Sequence, residues 1–321
     1  MRKRLIILLL FALSLGVTSA LAVGQDTLHT TFVANSLYQP THVVTVTAGG
    51  GMHALMHKVS DEGKALAGLN KSIGAGGQVQ AMYTYFFHKY VGVTGGFGFE
   101  VYTGNMNGSF VDSVYHTDKE NMPLSRWLYR DFQAFKELEQ LYMFTIPVGV
   151  TGRINITDPI QIRATVGFGM NAIVASHYRA DGNMQATAYY PAYNLHLDAD
   201  LPQHGLSDYY LHGYQGKIQN TFPVNMFVFG DIGMHYQFTK RWGLYAGIYV
   251  SYTCFNAVRQ YADAAGNLPE LIDYNWKTNQ WTYSGIINSK FVEALNPLSV
   301  GVKVGFTITY LSPAHCNCED I

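Results

Sequence analysis

Apolar and polar residues alternate with a period of two over eight separate stretches, the pattern of strands with a different solvent on each face. In residues 42–56, Val44, Val46, Ala48, Met52 and Met56 share one face and Thr45, Thr47 and His53 the other. Residues 73–87 oppose Val79, Ala81, Tyr83, Tyr85 and Phe87 to Gln78, Gln80 and Thr84, and then Val91, Val93, Phe97, Phe99 and Val101 oppose Gly92, Thr94, Gly96, Gly98 and Glu100. The same reading predicts strands over 141–154, 160–176, 222–238, 242–255 and 298–310. The connections alternate in length. His88-Lys89-Tyr90, Asn155–Pro159 and Thr239-Lys240-Arg241 are tight turns, whereas the gaps near 57–72, 105–140, 178–221 and 256–297 are long. Short turns at one end and long loops at the other predict a closed antiparallel transmembrane β-barrel of eight strands. The loops have room for two more, so ten strands is the alternative.

Period two alone leaves open which face meets lipid. One face is rich in Gly, Thr, Gln and Arg, a poor hydrophobic core, so the apolar face is expected outside and the polar one in the lumen. Composition agrees: charged residues are 13% and hydrophobics 48% of the 321 residues, with 32 Gly, 23 Tyr and 18 Phe. A net charge of −1 gives no field for nucleic acid. Arg2-Lys3-Arg4, an apolar run over Leu5–Leu15 and the Ala20-Leu21-Ala22 cleavage site predict a signal peptide over 1–22. A periplasmic segment (23–40), the outer-membrane barrel (41–311) and a periplasmic tail (312–321) would follow, in a Gram-negative cell outer membrane. Three cysteines, Cys254, Cys316 and Cys318, exclude a disulfide framework. Cys254 reads as a small hydrophobe in a strand. Cys316 and Cys318 beside His315 supply too few ligands to favour a metal, so no metal or cofactor is expected.

The long loops carry their own patterns. Leu124, Trp127, Leu128, Phe132, Phe135 and Leu138 fall at helical spacing after Pro123, predicting a short amphipathic helix over 123–138. Tyr189, Tyr190, Tyr193, Tyr209, Tyr210 and Tyr214 make the third loop aromatic, and Tyr274–Tyr283 reads as a hairpin above the membrane.

The last strand carries the most specific string. Ser299-x-Gly301-x-x-Val304-x-Phe306 and, four residues on, Lys303-x-Gly305-x-x-Ile308-x-Tyr310 are polar-x-Gly-x-x-apolar-x-apolar repeats ending in an aromatic residue. With the strand pattern over 41–311, the chain resembles the OmpA-like small outer-membrane β-barrel family. The resemblance implies that Gly301, Val304, Phe306, Gly305, Ile308 and Tyr310 form the signal read by barrel-assembly machinery. It does not bring the peptidoglycan-binding domain that often follows in that family.

The predicted lumen carries Glu100, Arg153, Arg163, Asp231 and Lys303, with Asp231 and Lys303 at similar height. Charges in a dry lumen demand partners, so these five are expected to form an ion-pair network that acts as a plug, or alternatively as a gate. No catalytic set emerges. Ser176 and His177 point to opposite faces of a strand, and His235 with Ser251 lacks a carboxylate to orient it. No enzymatic activity is expected. The first reading of function is therefore a monomeric structural barrel supporting envelope integrity and displaying loops. A narrow pore for ions or small solutes is the alternative, and a surface adhesin or partner-binding platform comes third. Its partners would be outer-membrane lipid and lipopolysaccharide, the assembly machinery and, through the loops, a surface ligand.

Overall fold

The computed structural model describes residues 41–311 except 62, 64–65, 67, 118–124, 158, 199–200, 202–205, 207, 219–223, 258–268, 276–277 and 279. Thirteen strands follow in chain order: β1 (Thr41–Val59), β2 (Leu69–Ser72), β3 (Ala75–Phe86), β4 (Val91–His116), β5 (Arg126–Asn155), β6 (Ile160–Tyr190), β7 (Leu195–Leu197), β8 (Tyr209–Gly216), β9 (Val224–Gln237), β10 (Trp242–Thr253), β11 (Ile272–Asn275), β12 (Gln280–Tyr283) and β13 (Val292–Leu311). Eight of them close a ring in the order β1, β3, β4, β5, β6, β9, β10, β13. Thr41 faces Leu311 where first and last strands pair, so the ring has no open margin. The count is the eight that the alternation predicts, and the fold is a transmembrane β-barrel.

The three tight turns lie at one end. Each is closed by backbone bonds across its neck, such as His88 N–H to the Val91 carbonyl at 3.1 Å and Phe238 N–H to that of Trp242 at 3.2 Å. From this turn end the strands rise to unequal heights. β10 has 12 residues, whereas β5 has 30 and β6 has 31. A tilted strand crosses the hydrocarbon in about ten residues. More than half of β5 and β6 therefore stands beyond the membrane, together with the distal part of β4, as a tall three-stranded wall.

Polarity inverts partway up that wall. Near the turn end, Phe144, Ile146, Val148 and Val150 of β5 and Val166, Phe168 and Met170 of β6 are exposed on the outer face, while Thr145, Thr151 and Arg163 are buried inside. Farther up, Phe132, Phe135, Leu141, Tyr178 and Met184 are buried on the inner face, and His177, Arg179 and Lys136 face out. The chain thus has an apolar band around a polar lumen, and beyond it a polar exterior around a hydrophobic core.

Three expectations are corrected. The stretches 105–140 and 178–221, predicted as loops, are largely strand. The helix predicted over 123–138 is strand from Arg126 onward. The Phe132–Phe135 step in its helical spacing comes from a bulge. The register shifts between Gln133 and Lys136, Ala134 takes φ 49°, and Phe132 and Phe135, three apart, both turn inward. Matching shifts in β4 and β6 place Gly108 and Gly182 at positive φ, where glycine is favoured. Cys254, predicted within a strand, lies one residue past β10 and is exposed. The hairpin predicted at Tyr274–Tyr283 is present as β11 paired with β12. The predicted signal peptide, the 23–40 segment, and the tail with His315, Cys316 and Cys318 lie outside the described residues.

Candidate functional site

Within the membrane band the lumen is filled rather than open. Lys303 on β13 reaches Asp231 on β9, with Nζ 3.1 Å from Oδ2; Lys303 is buried and Asp231 partly buried. The Tyr245 hydroxyl donates to Asp231 Oδ1 at 2.6 Å, so the carboxylate has two partners. The Glu100 carboxylate accepts from the Tyr102 hydroxyl at 2.5 Å. Glu100, Asp231 and Lys303 line one cavity of about 10 Å³ with Gln78 and Gln80. That is room for about one water.

The other two predicted lumen charges sit elsewhere. Arg153 and Arg163 face each other across β5 and β6, and their guanidinium groups lie 3.9 and 5.9 Å from the centre of the Phe86 ring. Arg153 Nε donates to the Lys89 carbonyl in the first turn, and Arg163 donates to Gln161. The five charges therefore make two groups rather than one network. Three gather higher in the lumen, and the two arginines sit at its turn end against the Phe86 ring, the Lys89 carbonyl and the Gln161 side chain. His235 bonds Thr307 at 2.6 Å and Arg163 at 3.2 Å, while Ser251 bonds Ser299 at 2.7 Å, so these two candidates have separate partners.

Sequence reasoning missed the lumen's aromatics. Tyr102, Tyr245 and Tyr249 are buried, and the Tyr249 hydroxyl bonds His53 Nε2 at 2.6 Å. The signal was available: Tyr245 and Tyr249 occupy the same alternate positions of β10 as Gly243 and Gly247. Small residues make the space. A Cβ at Gly49 or Gly301 would run into the Tyr249 ring. In the assembly string, Val304, Phe306 and Tyr310 are exposed on the apolar band, and Gly301 and Gly305 occupy the alternate positions.

Beyond the membrane, the last loop is pinned into the wall by buried polar contacts. Arg130 on β5 makes an ion pair with Asp112 on β4, another with Glu270 at 3.1 Å, and donates to the Ile272 carbonyl at 2.5 Å. Lys290 closes the cluster on Glu270 at 2.8 Å. Glu137 on β5 accepts from the Tyr283 hydroxyl and from the Ile286 N–H at 3.1 Å. His57 from β1 bonds Glu139 at 2.7 Å. Around these anchors, Leu271, Ile272, Ile286, Ile287 and Phe291 pack against Phe132, Phe135 and Tyr178.

Burial pushes the Glu137 carboxyl well above the usual carboxylate range, with Glu139 adding to the rise and the Tyr283 and Ile286 donors opposing it. Burial also raises Asp112, against the pull of Arg130. An acid raised in the folded state stabilises it below the unfolded value, and that contribution is lost as pH climbs through the folded value. The distal core should therefore loosen as pH rises above the carboxylate range. Protection factors for amide exchange in 271–291, which correct for the intrinsic rise of exchange with pH, are expected to fall over that interval in the wild type and to depend less on pH in Glu137→Gln.

No protein-family model matches the chain, and no curated relative does. Solved structures similar to parts of it are outer-membrane proteins. Ail, the attachment invasion locus protein of Yersinia pestis, shares 8% identity, with 84% of this chain and 99% of that one covered at a TM-score of 0.28. OprG from Pseudomonas aeruginosa shares 9% over 85% and 97%, at 0.32. A major outer membrane protein from Thermus thermophilus shares 12% over 84% and 99%, also at 0.32. At these scores the assignment rests on the chain's own geometry: a sealed ring of strands, an apolar band outside and a polar lumen within.

Proposed function

We propose that this chain is a structural barrel of the OmpA-like kind in a Gram-negative outer membrane, with its tight turns in the periplasm and its tall wall outside the cell. It supports envelope integrity and holds a rigid surface assembly, and it catalyses no reaction. The observation that carries this reading is the filled lumen, with a cavity of about 10 Å³ between Glu100, Asp231 and Lys303. Tyr245 and Tyr249 are packed into the same interior. A hydrated ion needs a continuous path, and this interior supplies hydrogen-bonded side chains instead.

Two measurements test it. In planar bilayers the purified protein is expected to conduct at background level, and Asp231→Ala is expected to leave that unchanged, since the tyrosine rings remain. Stable single-channel steps in the wild type would favour the pore. In cells, loss of the protein should raise sensitivity to detergents and large antibiotics, and Asp231→Ala should restore resistance as well as the wild type does. Unaltered sensitivity on loss would remove the structural role.

A further inference from the structure

We infer that the lumen cavity binds one water molecule, held between the Gln78 amide and the Glu100 carboxylate; this rests on the closed lumen proposed above. Gln78 on β3 and Glu100 on β4 are direct cross-strand partners. Gln78 is 5% and Glu100 1% exposed, and both line the cavity. Each has one buried polar atom, Gln78 Nε2 and Glu100 Oε1, with no hydrogen-bond partner among the described residues. The two atoms are complementary, since the amide nitrogen donates and the carboxylate oxygen accepts. Other polar groups of the lining are already engaged. Glu100 Oε2 accepts from Tyr102, Asp231 from Tyr245 and Lys303, Tyr249 bonds His53, and Ser251 bonds Ser299.

The chemistry around the cavity selects its occupant. A metal cation would meet the Gln78 amide hydrogens and the Lys303 ammonium, and an anion would meet the Glu100 carboxylate. Water donates and accepts at once, and a buried water makes about three hydrogen bonds. An ammonium carries three hydrogens, so Lys303 can direct a second one into the space it lines while holding Asp231. Gln78 and Lys303 then donate to the water, and the water donates to Glu100. The volume of about 10 Å³ suits a single molecule. Neither β3 nor β4 pairs with β9 or β13, so the bound water joins two polar groups that the sheet itself leaves apart. It is a fixed part of the plug rather than a solute in passage.

The test is a crystal structure of the full protein grown from rubidium bromide, at a resolution that shows ordered waters. One peak within hydrogen-bond distance of Gln78 Nε2 and Glu100 Oε1, without anomalous signal, is expected. A direct Gln78–Glu100 bond, a dry cavity, or an anomalous rubidium or bromide peak there would overturn the inference. In micelles, the Gln78 side-chain amide should show the nuclear Overhauser effect of a long-lived water. The effect should persist in Glu100→Gln, which keeps an acceptor oxygen, and be lost in Glu100→Leu, with heat-modifiable gel mobility confirming that each variant is folded. No effect in the wild type, or an equal one in folded Glu100→Leu, also overturns it. A dry cavity with background conductance defeats this inference alone, whereas a file of waters through the lumen with stable channel steps defeats the closed lumen and this inference with it.

Discussion

Arg130→Ala is expected to detach the last loop from the wall while leaving the membrane barrel intact. Arg130 is buried and holds Asp112, Glu270 and the Ile272 carbonyl at once. Removing it strands Asp112 in the hydrophobic core without its cation. Deleting one partner of a buried ion pair costs about 3–5 kcal/mol, most of it from the charge left behind. Glu270 suffers less, because Lys290 stays 2.8 Å away. Proteolysis should cut within 256–291 in the variant and leave the wild type whole, while heat-modifiable gel mobility persists in both. Adding Asp112→Leu with Arg130→Met removes the stranded charge and should recover most of the resistance. Wild-type resistance in Arg130→Ala would mean that packing around Ile272 and Ile286 holds the loop without the clamp.

The second large effect separates the two storeys. Val166 is 64% exposed on the apolar band, and an arginine there would place a charge in hydrocarbon. The cost is about 2–4 kcal/mol near the midplane of a barrel. Tyr129, on the same outer side but far up β5, should accept arginine within about 0.5 kcal/mol, as ordinary surface positions do. Equilibrium unfolding in guanidinium with lipid vesicles reads both. Equal effects at the two sites would mean that they share a solvent.

The membrane half of the fold was legible in the sequence because alternation there has one meaning throughout. Val148 outside and Thr145 inside follow from period two, and glycines at the alternate positions mark the inner face. Legibility failed where the meaning of the alternation reversed. Above Tyr142 a set of large apolar residues that includes Leu141, Phe135 and Phe132 turns inward, and the bulge at Ala134 puts Phe132 and Phe135 three apart on one side, which mimics a helix turn. Within the lumen, facing residues of adjacent strands were readable, but the Tyr249 to His53 bond was not, since these strands are separated in the ring by β13. The Arg130 cluster joins residues 140 apart in sequence, and periodicity carries no record of such contacts. Tyr189 was visible only as one of a loop's tyrosines, because its alignment with Trp127 and Tyr115 depends on the register of β5 against β4 and β6.

The most direct measurement of the whole account is a spin-label scan along β5 from residue 127 to 154 in lipid vesicles, reading collision with oxygen and with a water-soluble nickel chelate. Labels at 144, 146, 148 and 150 should prefer oxygen, labels at 127, 129, 133 and 136 should prefer nickel, and labels at 132, 135, 141 and 145 should meet neither. Oxygen preference along the full outer side, or nickel preference at 146 and 148, would contradict a barrel whose two faces exchange polarity at the membrane surface.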